Sequence, residues 1–163
     1  LTICRPFNTY GPRQSMRAII PTIIVQLLKN KDEILLGSLH PTRDFNYIED
    51  TVDGFVASLL SKNNIGETIN IGSNYEISMK DVLDIILKLS GKKIKITHEK
   101  IRMRPQNSEV DRLWADNSKA QKLLDWSPKY NGLEGFRKGI KKTYDWYRDP
   151  ENIKKYKNMG FIS

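Results

Sequence analysis

The chain has 163 residues, 39% of them apolar and 28% charged, with a formal net charge of +8. Such a composition fits a globular fold with a core of its own and excludes disordered and fibrous classes. The longest apolar stretch, residues 18–25, is broken by Pro21 and Thr22 and falls far short of the roughly 20 residues that cross a bilayer.

No basic n-region or small-residue cleavage site follows Leu1, so the sequence reads as a cytoplasmic protein with no membrane partner. The single cysteine, Cys4, excludes an internal disulfide framework, and its apolar neighbours read as a buried, inert thiol. His40 and His98 stand far apart and match no zinc spacing, so no metal is expected. The charge is uneven. Residues 137–163 hold eight Lys/Arg against three Asp/Glu and contribute +5.

Leu1-Thr2-Ile3-Cys4 reads as a buried strand running into a loop with Asn8 and Arg13. Helical spacing of Ile19, Ile20, Ile23, Ile24, Leu27 and Leu28 predicts a helix over residues 18–29, with Pro21 tolerated in its first turn. Residues 33–36 read as a short strand, and residues 43–48 alternate as a second. Asp50 reads as the cap of a helix that buries Val52, Phe55, Val56, Leu59 and Leu60. Residues 67–71 form a buried strand, and Ser78-Met79-Lys80-Asp81 is a capping box opening a helix that Gly91 stops. Residues 93–97 alternate as an amphipathic strand, and residues 102–111 are polar and irregular. Asp116 reads as the cap of a short helix ending near Leu124. Leu133, Phe136, Ile140, Tyr144 and Tyr147 mark a final helix that Pro150 ends, followed by a loosely held basic tail. The expected organisation is one portion over residues 1–148 and a tail over 149–163.

Three segments share a chemistry: Asn8 with Arg13, Arg43-Asp44, and Arg104 through Arg112 with Glu109 inside it. Guanidinium forks bind phosphate oxygens in pairs, and a carboxylate suits the hydroxyl pair of a ribose. Converging, they would make a nucleoside-diphosphate pocket. No Gly-x-Gly-x-x-Gly follows a strand, and no tyrosine has a lysine four residues later.

Five stretches in order carry a resemblance: Arg5-Pro6-Phe7-Asn8-Thr9-Tyr10-Gly11-Pro12-Arg13-Gln14; Thr42-Arg43-Asp44-Phe45-Asn46-Tyr47-Ile48-Glu49-Asp50; Thr68-Ile69-Asn70-Ile71-Gly72; Arg104-Pro105 to Val110-Asp111; and Ala115-Asp116-Asn117-Ser118-Lys119-Ala120 with Leu124-Asp125-Trp126-Ser127-Pro128. The chain resembles the C-terminal part of extended short-chain dehydrogenase/reductases that act on nucleotide-sugars. Leu39-His40-Pro41-Thr42-Arg43-Asp44 and the spacing after Arg104-Pro105 look most like 4,6-dehydratases of GDP-sugars or N-acetylhexosamines. UDP-sugar 4-epimerases are the near alternative, usually with Gly-Asp in place of Ser108-Glu109.

The resemblance implies an α/β fold: the last strands of a Rossmann-type sheet plus a small mixed α/β substrate-binding domain. It implies that Asn8 contacts the diphosphate or sugar, that Arg43 and Arg104 clamp the phosphates, and that Glu109 takes the ribose hydroxyls. Arg17, Ile20 and Pro21 would border the sugar or base, and Pro6 and Phe7 the nicotinamide of NAD. The family's glycine-rich loop and Tyr-x-x-x-Lys pair are absent, so no catalytic residue is expected here and the chain alone is expected to be inactive. The expected partners are a nucleoside-diphosphate sugar, the missing N-terminal Rossmann half, and a second copy through an exposed edge strand. A non-catalytic nucleotide-binding module is a further reading. Nucleic-acid binding is disfavoured, because the tail lysines are not interleaved with exposed aromatics.

Overall fold

The structure, a computed structural model, describes residues 1–29, 32–98 and 110–157. These residues form two compact units. The first comprises Leu1–Gly11, Thr42–Ile77 and Arg112–Gly139, and the second draws on Pro12–Pro41, Ser78–Asp111 and Ile140–Ser163.

In the first unit, β1 (Ile3–Pro6) pairs in parallel with β5 (Thr68–Ile71), from Ile3 opposite Thr68 to Pro6 opposite Ile71. A second sheet centres on β4 (Thr42–Tyr47). Parallel strands β2 (Asn8–Tyr10) and β8 (Arg112–Leu113) pair with it, and β6 (Glu76–Ser78) extends it. β2 corrects the sequence expectation of a loop at Asn8. Three residues after β1 suffice for a strand because β4 supplies the ladder.

β5 alternates as a strand buried on one face should. Ile69 and Ile71 pack with Ala120, Leu124 and Trp126, the last three on or just after α4 (Ser118–Leu124). α2 (Ile48–Leu60) lies against this cluster through its small residues. A Cβ added at Gly54 would come within 2.6 Å of the Ile71 side chain, Ala57 packs on the cluster, and Ser58 meets the Cys4 thiol at 3.1 Å. The close approach has a consequence for the opposite face. Val52, Phe55, Val56, Leu59 and Leu60, expected to be buried, are exposed. β1 is likewise exposed at Ile3, Arg5 and Pro6, and Cys4 is half-buried, where a buried strand was expected.

A second cluster surrounds Tyr10. Its ring meets Phe45, Tyr47 and Phe136 at centroid distances of 6.1, 5.4 and 5.2 Å, within the range of favourable aromatic pairs. Its hydroxyl donates to the Phe136 carbonyl at 3.2 Å, and burial pushes its pKa upward, so it stays neutral. Gly139, in α5 (Gly132–Arg148), leaves the room the ring needs: a Cβ there would stand 2.1 Å from the Tyr10 hydroxyl.

Asp50 does not cap α2. The helix starts two residues earlier, after Tyr47. Asp50 is buried instead, and its two carboxylate oxygens accept from the backbone N–H groups of Lys129 and Tyr130 at 2.9 and 2.8 Å. Burial holds its carboxyl above the usual range, and these two donors pull it partly back.

In the second unit, α1 (Ile19–Leu28) turns Ile20, Ile23, Ile24 and Leu27 into the core. β3 (Glu33–Leu36) pairs in parallel with β7 (Lys95–His98), and the Gln26 side chain brackets Leu35 by bonding both its N–H and its carbonyl. α3 (Met79–Ser90) opens as expected, with the Ser78 hydroxyl accepting from the Asp81 N–H at 3.0 Å. It stops at Gly91, whose φ of 66° a side chain would strain. In the first unit, α4 starts one residue later than expected, after Asn117, and Asp116 accepts from the Ser118 N–H at 2.9 Å. Beyond Pro150 the backbone forms another helix, α6 (Pro150–Lys157), where a loose tail was expected. α5 and α6 pair several of their basic residues with acidic ones: Arg137 with Glu134, Lys141 with Asp145, and Lys154 with Glu151.

Gly139→Ala forces a methyl into the Tyr10 ring and is expected to cost about 1–3 kcal/mol, read as a lower urea midpoint at unchanged m. Asp50→Asn sets an amide N–H₂ against a backbone N–H and is expected to cost about 1–3 kcal/mol. The deficit of this variant should grow as pH falls from neutral towards about 4. Folded Asp50 takes up its proton at a higher pH than the unfolded chain does, so acidification favours the native wild type. Chemical denaturation of both proteins across that range reads the trend.

Candidate nucleotide-binding site

The carboxyl ends of parallel strands are where open α/β sheets hold ligands. In the first unit β1 and β5 end side by side. Phe7 donates its N–H to the Ile71 carbonyl at 2.9 Å, and its side chain lies against Gly72. The chain beyond β5 is then held by β4. Asp44 is 0% exposed, and one of its oxygens accepts from both the Ser73 N–H and hydroxyl, at 2.8 and 2.7 Å. Its other oxygen accepts from the Ala115 N–H at 3.2 Å, just past β8. Asn117 adds a bond to the Gly72 carbonyl at 2.9 Å. Burial raises the Asp44 carboxyl above its usual range, opposed mainly by the Ser73 donors. One carboxylate therefore ties together the strand bearing Arg43, the loop after β5 and the segment after β8.

Arg43 is half-buried in β4, opposite Leu113 of β8, and its guanidinium donates to the Thr42 carbonyl at 2.8 Å. The neighbouring Asp44 carboxylate turns instead to Ser73 and Ala115. On the other side of β4, Asn8 stands opposite Phe45. The Asn8 side-chain nitrogen is buried and has no hydrogen-bond partner among the described residues. Next to it the Thr51 hydroxyl meets Thr9 at 3.0 Å and accepts from Asn46 at 2.8 Å, while the Asn46 side-chain oxygen is also buried without a partner among the described residues. A buried amide donor left unpaired costs about 1–3 kcal/mol, so a ligand or water oxygen at this nitrogen would be stabilising.

The entry to β8 is clamped as well. Arg112 makes a two-pronged bond to Glu76 at 2.8 and 2.7 Å, and the Thr42 hydroxyl donates to the same carboxylate at 3.0 Å. The Arg112 partner holds the Glu76 carboxyl below its usual range. The guanidinium also lies 5.0 Å above the Trp114 ring. Sequence reading passed over Glu76 and Trp114. No pattern links them, because Glu76 on β6 reaches Arg112 only once β8 pairs with β4.

The structure thus brings Asn8 and Arg43 onto neighbouring strands, with Pro6 and Phe7 at the end of β1 in the same unit. Arg17 lies in the second unit, exposed, with its N–H on the Ser15 hydroxyl at 3.3 Å. Ile20 and Pro21 are buried in the core face of α1. Arg104 and Glu109 lie outside the described residues. No group of three metal-binding side chains occurs among the described residues, and none of their helices is long and apolar enough to cross a membrane.

The family model for GDP-mannose 4,6 dehydratase matches residues 1–142. Human dTDP-D-glucose 4,6-dehydratase is 34% identical over 168 residues, covering 98% of this chain and 44% of its own. The UDP-glucuronic acid 4-epimerase of Bacillus cereus, solved with UDP-glucuronic acid and NAD, superposes with a TM-score of 0.76 at 36% identity. It covers 89% of this chain and 44% of its own. The epimerase Mth375 of Methanothermobacter thermautotrophicus reaches a TM-score of 0.82 at 27% identity, over 96% of this chain and 45% of its own. The chain thus spans less than half the length of these relatives. It belongs to the GDP-mannose 4,6-dehydratase family, among the extended short-chain dehydrogenase/reductases that work as nucleotide-sugar dehydratases and epimerases.

Proposed function

We propose that this chain is the nucleotide-sugar-binding portion of an NAD-dependent nucleotide-sugar 4,6-dehydratase. The observation that carries the reading is the buried, unpartnered Asn8 side-chain nitrogen on the strand next to the one bearing Arg43. A pyrophosphate supplies the anionic oxygens that such a donor and a guanidinium need. The family resemblance assigns Arg104 as a second phosphate clamp and Glu109 as the acceptor for the ribose hydroxyls. The family resemblance assigns Arg17, Ile20 and Pro21 to the border of the sugar or base. The match to the B. cereus enzyme favours a second reading, the same portion of a UDP-sugar 4-epimerase.

Pro6 and Phe7 fit one apolar side of a nicotinamide ring. No glycine-rich turn for its pyrophosphate follows a strand in the sequence. Bound NAD supplies reversible hydride transfer at the sugar. What this chain contributes is position: it holds the diphosphate, orients the sugar and places its reacting carbon. Orientation of this kind lowers barriers by several kcal/mol but supplies neither base nor hydride acceptor.

The 163-residue protein is expected to bind UDP-glucuronic acid or GDP-mannose with a submillimolar dissociation constant in isothermal titration, and to turn neither over when NAD is added. Asn8→Ala, Arg43→Ala, Arg104→Ala and Glu109→Gln should each weaken binding about tenfold or more, roughly 1.4 kcal/mol. The stronger ligand of the two separates the GDP-sugar from the UDP-sugar reading. Binding untouched by these substitutions, or measurable turnover, contradicts the proposal.

A further inference from the structure

The chain changes sheets at Phe7. β1 ends at Pro6 beside β5, β2 begins at Asn8 beside β4, and Phe7 belongs to neither strand. Its N–H is held by the Ile71 carbonyl at 2.9 Å. Its carbonyl belongs to the Phe7–Asn8 peptide, and a peptide plane is rigid. Whatever holds that oxygen therefore sets the backbone torsions on both sides of the plane. With them it sets the directions in which the Phe7 and Asn8 side chains leave the backbone.

The Thr9 hydroxyl holds it, donating to the Phe7 carbonyl at 3.1 Å. Side chains alternate along a strand, so Thr9 turns to the opposite face from Asn8. There its oxygen lies 3.0 Å from the Thr51 hydroxyl on α2, and the Thr51 oxygen accepts from the Asn46 side-chain nitrogen at 2.8 Å. The protons available fix the direction of this string. A carbonyl only accepts, and each hydroxyl has one proton to give. Thr9 spends its proton on Phe7, so Thr51 donates to Thr9 and Asn46 offers Thr51 an N–H. The reverse orientation of the Asn46 amide would set two oxygens against each other with no proton between them. The permitted orientation leaves the Asn46 oxygen buried and without a partner among the described residues. Asn46 and Thr51 are 0% and 5% exposed, so the string is shielded from competing water.

We propose that Thr9 is a positioning residue for the nucleotide-sugar site. Its hydroxyl, backed by Thr51 and Asn46, locks the Phe7–Asn8 peptide in the orientation that presents Phe7 to the nicotinamide and the Asn8 amide to the diphosphate. Thr9 itself touches neither ligand. The inference rests on the proposed function for the identity of those ligands, whereas the lock rests only on the hydrogen bonds of the first unit.

The test compares the 163-residue protein with Thr9→Val, Thr9→Ser and Thr51→Val. Valine keeps the branched shape and removes the hydroxyl, and serine keeps the hydroxyl. One readout needs no ligand: the NMR signals of the Phe7 carbonyl carbon and the Asn8 side-chain amide. The other is the dissociation constant for UDP-glucuronic acid in isothermal titration. Thr9→Val should shift or broaden both sets of signals and weaken binding about fivefold or more. Thr9→Ser should keep the wild-type signals and stay within about twofold in affinity. Thr51→Val should fall between them. Ser78→Ala, which removes the α3 cap in the second unit, controls for stability: it should lower the urea midpoint and leave affinity unchanged. Phe7 and Asn8 signals that Thr9→Val does not move overturn the proposal, with or without nucleotide binding. So does an affinity that Thr9→Val leaves at the wild-type value, or a loss that serine does not rescue. Moved signals in a protein that binds neither UDP-glucuronic acid nor GDP-mannose sink the proposed function and leave the peptide lock standing.

Discussion

A buried carboxylate must find donors, and the first unit is organised around how Asp44 finds them. Its two oxygens take three bonds from Ser73 and Ala115, residues 29 and 71 positions away along the chain. Leaving any of these polar groups unpaired would cost more than the bond itself gains. The arrangement therefore holds the loop after β5 and the segment after β8 to a single strand. That strand also bears Arg43 and flanks Asn8. The same carboxylate that closes the fold thus sets the frame for the proposed phosphate-binding pair.

Asp50 repeats the device at the start of α2, where it clamps the backbone at Lys129 and Tyr130. Both acids are held above the usual carboxyl range by burial, and both are partly compensated by donors from distant segments. Preorganisation here comes from rigid backbone rather than from long side chains. Such rigidity suits the proposed task of orienting a flexible diphosphate.

Elements whose cause is local were legible in the sequence. The isoleucine spacing of α1, the Ser78 cap, the Gly91 stop and the alternation of β5 all reappear, because each is decided by residues within one or two turns of one another. What was hidden depends on partners far along the chain. Asp50 carries the residue type of a cap, yet its donors lie 79 and 80 positions later. The stripe on α2 was legible as a stripe, but periodicity does not say which side a neighbour covers. Gly54 over Ile71 decides that, and it turns the stripe outward. β2 was missed because three residues carry no period, and only pairing with β4 makes them a strand. The site divides in the same way. Arg43 and Asn8 could be named from their chemistry, whereas the roles of Asp44, Glu76 and Trp114 arise only from strand pairing.

The central claim is that Asn8 and Arg43 serve one pyrophosphate. A crystal structure of the chain with UDP-glucuronic acid tests it most directly. The account predicts diphosphate oxygens within hydrogen-bonding distance of both the Asn8 side-chain nitrogen and the Arg43 guanidinium. A nucleotide seated elsewhere, or one that leaves the Asn8 nitrogen unpaired, would contradict it.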